Sequence, residues 1–107
     1  MKRFPIIPKP TTIQGLQGKE KSFTISWKKV NSQVNGYQIQ YSANKKFPKK
    51  QTKMITIEST SIFSKTVSTV KATKYYVRVR TFKRAGSGTY YSKWSKVSIV
   101  KTLAASL

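Results

Sequence analysis

A chain of 107 residues with a formal charge of +20, drawn from 22 lysines and arginines against Glu20 and Glu58 alone, has room for one domain and a surface that attracts polyanions. Without cysteine, histidine or aspartate it has no disulfide, thiol nucleophile, imidazole base or cysteine–histidine metal site, so neither catalysis nor any metal or other cofactor is expected. No run approaches the roughly 18 apolar residues of a membrane span, but 37% hydrophobic residues, with 2 Trp, 6 Tyr and 5 Phe among them, are enough for a core.

Pro5, Pro8 and Pro10 hold the lead-in extended, so residues 1–7 read as a linker. Met-Lys-Arg opens like a signal peptide, but these prolines break the apolar stretch that would have to follow, and no secretion signal is read here. Pro5 and Pro8 also match a PxxP ligand, although proline at a strand start is the simpler account. A first strand is expected around TTIQGLQ, residues 11–17.

From there the hydrophobic period is two. FTISW puts Phe23, Ile25 and Trp27 on one face, and GYQIQYS does the same with Tyr37, Ile39 and Tyr41 after an Asn35–Gly36 turn signal. KMITIES and FSKTVSTV are weaker strands, the second supplying Val67 and Val70 to the core. KYYVRVRTF alternates Tyr75, Val77, Val79 and Thr81 with Tyr76, Arg78, Arg80 and Phe82. RAGSGT opens no helix, so it reads as a hairpin loop and not a phosphate loop. KVSIVKT closes the series with Val97 and Ile99 facing inward. Seven short strands without a helical stripe predict an all-β, immunoglobulin-like sandwich.

These markers in this order resemble a fibronectin type III domain over residues 8–102, with 103–107 a tail or linker: a proline-flanked first strand, Trp27 in TISWKKV, GYQIQYS, YYVRVRTF and the closing VSIVKT. The resemblance implies a seven-stranded sandwich and a corner tyrosine, with Tyr75 in that place and Val70 in the place of the leucine before it, one residue closer than the family pattern. SANKKFPKK and YYVRVRTFK are most similar to modules of surface and secreted proteins of Gram-positive bacteria, which implies an extracellular or cell-surface location and membership of a longer protein. YSKWS resembles the WSXWS box of cytokine-receptor type III domains, with Tyr91 replacing the first tryptophan. That likeness implies a structural cation–π ladder of Arg78, Arg80, Tyr91 and Trp94, worth about 0.5 to 1 kcal/mol per exposed contact. The alternative is that the same rings receive a ligand such as a sugar. The integrin-binding Arg-Gly-Asp of some relatives is missing here.

Glu20 falls in the turn between the first two strands and Glu58 at the end of the fourth, so they form no carboxylate pair and are expected to partner nearby lysines. Only Arg3, Arg78, Arg80 and Arg84 are arginines; the other 18 basic residues are lysines, point charges that do not read bases, so sequence-specific nucleic-acid binding is not expected. The densest lysine cluster, Lys45, Lys46, Lys49, Lys50 and Lys53, is either a solvated coat that guards strand edges or an anion-binding surface. Three functions stay open: a monomeric, non-catalytic spacer, scaffold or adhesion module whose partners are neighbouring domains of its parent protein; a binder of teichoic acid or another anionic polymer or glycan; and a receptor-like module that holds a protein partner in its interstrand loops.

Overall fold

The computed structural model describes residues 8–30, 34–69, 73–86 and 88–103. Eight strands follow in chain order: β1 (Ile13–Lys19), β2 (Ser22–Trp27), β3 (Gly36–Ser42), β4 (Thr52–Ile57), β5 (Ser64–Ser68), β6 (Lys74–Ala85), β7 (Gly88–Tyr91) and β8 (Ser98–Lys101). One sheet has the order β1-β2-β5; the other runs β4-β3-β6, with β7 and β8 both paired to the outer edge of β6. All pairings between these strands are antiparallel. The last strand expected from sequence is thus one of two short pieces separated by residues 92–97, and the GTYY piece was not legible as a strand.

The core follows from strand alternation. Phe23, Ile25 and Trp27 on β2, Tyr37 and Ile39 on β3, and Val77 and Val79 on β6 are fully buried between the sheets, with Val67 and Tyr75 beside them. Trp27 packs on Tyr37 at 5.3 Å between ring centroids, and half-buried Tyr41 closes one end of the core against Phe23 at 5.4 Å and Tyr75 at 5.9 Å. Such pairs add about 0.5–1.5 kcal/mol to the burial of their area. Val30, Ile57 and Val100 complete the core.

Three sequence expectations are corrected. Val97 and Ile99 are 45% and 58% exposed, because β6 sets the phase of β8: Tyr75 opposes Val100 and Val77 opposes Ser98, and opposed residues share a face. Both phases of this segment carry apolar residues, so alternation alone did not choose between them. Phe82, assigned to the outward set, is buried, because it faces Gly36 across the β3–β6 pair. Gly36 in turn does not form the expected turn; it is the first residue of β3, and a Cβ there would come within 2.0 Å of the Ile57 carbonyl oxygen and 3.0 Å of the Phe82 ring. Val70 lies outside the described residues.

A buried hydroxyl joins the sandwich to its loops. Tyr37 Oη accepts the Val30 N–H at 2.8 Å and donates to the Thr60 carbonyl at 3.0 Å. Tyr37→Phe leaves both groups without this partner and is expected to cost about 1–3 kcal/mol, read as a lower midpoint in urea with an unchanged m-value. Burial, and secondarily Tyr75, raise the Tyr41 phenol above its ordinary value of 10.0. The folded state then holds this proton more tightly than the unfolded chain, so its contribution is intact below pH 10.0 and is lost as pH rises through the folded value. In unfolding curves measured across that range, Tyr41→Phe is expected to flatten the decline.

Candidate functional site

The segment Ser92–Val97 leaves strand geometry without leaving β6. Ser92 N–H donates to the Thr81 carbonyl at 3.0 Å while Ser92 Oγ accepts the Thr81 N–H at 2.9 Å. Ser95 repeats the exchange with Val79, at 2.8 Å and 3.0 Å. Hydroxyls thereby replace the carbonyls of an ordinary ladder. Three residues of the segment advance as far as two on β6, and the slack between the serines swings Trp94 over the outer face of the sheet.

There the rings and guanidiniums interleave. Arg78 lies 4.1 Å from the Phe47 centroid and 4.5 Å from Trp94, and Arg80 lies 4.2 Å from Trp94 and 3.9 Å from Tyr91. The order is Phe47, Arg78, Trp94, Arg80, Tyr91. Residues directly opposed on β3 fix the cations: Arg78 Nε donates to Gln40 Oε1 at 2.6 Å, and Arg80 Nε to Gln38 Oε1 at 2.9 Å. Lys74 over Tyr76, at 5.7 Å, extends the row toward the other end of β6. Burial lowers the pKa of both arginines; at Arg80, Tyr91 opposes the shift and Arg78 adds to it. Arginine's ordinary value is so high that both stay charged.

Phe47 was not among the residues singled out from sequence. Its one signal was an aromatic ring alone in a run of lysines. The chain is bent to deliver it: Asn44 Oδ1 accepts the Lys46 N–H at 2.9 Å, Phe47 takes the left-handed conformation at φ 51°, and its N–H donates to the Asn44 carbonyl at 3.0 Å. A 3-10 turn at Lys49–Gln51 follows, with Thr52 Oγ1 donating to the Pro48 carbonyl at 2.6 Å. Lys45, Lys46, Lys49, Lys50 and Lys53 are all exposed along this ordered segment, so the lysine cluster and the ladder meet at Phe47.

Elsewhere, Glu58 pairs with Arg84, where a lysine was expected. Both side chains are at least half exposed, so the pair contributes little. A cavity of about 490 Å³ opens between the sheets near Tyr41, Tyr75, Thr69 and Lys53, and the described residues lining it include no carboxylate or imidazole. Among the described residues no cluster of three metal-ligating side chains occurs, and no helix is long and apolar enough to cross a membrane.

Two facing antiparallel sheets with this strand order define an immunoglobulin-like β-sandwich. The family model of the fibronectin type III domain matches residues 8–98, and the chain belongs to that family, whose domains are commonly modules of larger proteins. Its fold is similar to the fibronectin type III domain of human contactin 1, with a TM-score of 0.70 and 22% identity over 92% of this chain and 79% of that one. It is similar also to such a domain of human collagen alpha-1(XX), with a TM-score of 0.71 and 19% identity over 100% of this chain and 96% of that one. A beta-1,2-glucanase from Parabacteroides distasonis is matched at a TM-score of 0.69 and 16% identity over 94% of this chain but only 14% of the enzyme. At these identities the likeness is one of fold. No curated protein matches the sequence.

Substitutions at two positions measure the ladder. Trp94→Ala removes two stacking contacts and is expected to lower stability by about 1–2 kcal/mol. Ser92→Ala strips the buried Thr81 N–H of its acceptor and is expected to cost about 1–3 kcal/mol, with Ser92→Thr restoring most of it in the same denaturation assay.

Proposed function

We propose that this domain is a non-catalytic spacer of a larger extracellular or cell-surface protein, holding its neighbours apart and in line. The observation that carries this reading is where the chain enters and leaves. On one side Thr81 Oγ1 donates to the Lys9 carbonyl at 2.6 Å, next to the start of β1. On the other, Leu103 N–H donates to the Lys19 carbonyl at 2.9 Å and Lys21 N–H to the Leu103 carbonyl at 2.8 Å, at the end of β1. The seven residues of β1 separate these points by roughly 20 Å. Domains attached at the two sides are therefore carried at opposite ends of the sandwich.

A second reading, attachment to an anionic polymer, is favoured by the lysine segment, because its charges project from a chain ordered by Asn44, Phe47 and the 3-10 turn. The likeness of SANKKFPKK to Gram-positive surface modules makes wall teichoic acid the natural polymer for it. An acidic glycan is the alternative.

Two measurements test these readings. Small-angle scattering from the domain placed between two globular proteins should give an extended distance distribution; folding of either protein back onto the sandwich contradicts the spacer. Binding to teichoic acid that survives about 0.15 M salt and is lost in the Lys45→Gln, Lys46→Gln, Lys49→Gln, Lys50→Gln variant supports attachment, whereas binding that vanishes at that ionic strength reduces the lysines to a generic coat.

A further inference from the structure

The ladder leaves donors unused. Each guanidinium carries five N–H groups, of which the Nε–H of Arg78 and of Arg80 is committed to a glutamine on β3. The Nη donors of both have no hydrogen-bond acceptor among the described residues. Both guanidiniums lie over the Trp94 ring, at 4.5 Å and 4.2 Å from its centroid, and neither arginine is fully buried. Among the described residues no carboxylate pairs with either guanidinium: Glu58 pairs with Arg84, and Glu20 sits in the β1–β2 turn of the other sheet.

We infer that the ladder is itself an oxyanion-reading surface: the free edges of Arg78 and Arg80 bind successive phosphates of a linear polyol-phosphate chain, while the adjoining lysine segment holds the remainder by charge. This rests on the polymer-attachment reading above and assigns it a recognition element. A guanidinium edge forms paired hydrogen bonds to a phosphate, which a lysine ammonium does not. Stacking between rings and the bond to glutamine hold each fork still before any ligand arrives, so little side-chain freedom remains to be lost on binding.

The occupied faces select the polymer. Trp94 has both guanidiniums over its ring, and Phe47 and Tyr91 each have one face covered, so neither a base nor a sugar ring can stack within the ladder. Single-strand nucleic-acid binders depend on open aromatic faces, and the ladder offers none at its centre. What remains outward is a row of donor edges. A flexible chain without rings, joined by phosphodiesters, can lie along that row and meet both forks.

The test uses the whole chain, labelled with nitrogen-15, titrated with poly(glycerol phosphate), heparin, a random DNA duplex and inorganic phosphate at about 0.15 M salt. Poly(glycerol phosphate) should shift the Nε–H resonances of Arg78 and Arg80 and the indole N–H of Trp94 saturably, inorganic phosphate should shift the same signals more weakly, and heparin and DNA should bind less tightly. The Arg78→Lys, Arg80→Lys variant keeps both charges but loses the forks, and its affinity for poly(glycerol phosphate) should fall by about tenfold or more. Unchanged affinity in that variant, with binding lost in the four-lysine variant, overturns the role of the ladder and leaves polymer attachment standing. Absence of polymer binding by the wild-type chain overturns both. Equal or tighter binding of heparin or DNA overturns the choice of polyol phosphate. Should the arginine variant fail to fold, the wild-type spectra decide: saturation without movement of the two Nε–H signals overturns the inference.

Discussion

The register between β3 and β6 is the constraint on which the rest of the structure depends. It sets Ile39 opposite Val79 and Tyr41 opposite Val77 on the inner face, and by the same alignment sets Gln38 opposite Arg80 and Gln40 opposite Arg78 on the outer one. A slip of one residue would drive two arginines into the core and expose two valines, a change no local relaxation could absorb. Core and ladder are therefore two sides of a single alignment. The hydrophobic effect stabilises it from within, and the glutamine–arginine hydrogen bonds hold it from outside.

Much of this was legible because the period is so regular. Phe23, Ile25 and Trp27, Tyr37 and Ile39, and the Tyr75, Val77, Val79 set each alternate with polar neighbours, which left only one face for Arg78 and Arg80. What escaped the sequence depends on partners distant in the chain. Phe47 reaches Arg78 only because the segment after β3 folds back through a left-handed residue, and no local pattern announces that. Val97 and Ile99 could be told from Val100 and Thr102 only by knowing which residues of β6 they oppose. Asn35–Gly36 carried a strong local turn signal, overridden by the close approach of Ile57 and Phe82. The family resemblance was carried by the same regular strands, which explains why fold was easier to read than role.

The charge has a different relation to the fold. A net +20 on one small sandwich raises its free energy through self-repulsion, and the structure offsets some of this by sharing cations with rings instead of carboxylates. Arg78, Arg80, Lys74 and Arg84 each lie over an aromatic ring, while the ion pair between Glu58 and Arg84 is exposed. Aromatic quadrupoles do this without cancelling the charge. The domain keeps its long-range positive field while gaining short-range cohesion, and a surface that is both ordered and strongly basic results.

The attachment of Lys9 to β6, ahead of β1, and of Leu103 to the far end of β1 also decides how the domain meets mechanical load. Tension applied through these two points runs along the strands, across the antiparallel hydrogen bonds that join β1 to β2. Bonds loaded in shear share the force and must give way together, whereas bonds peeled from one end fail singly. A chain pulled in this direction resists as a block, a property that arises from where the polypeptide enters and exits and not from any added contact.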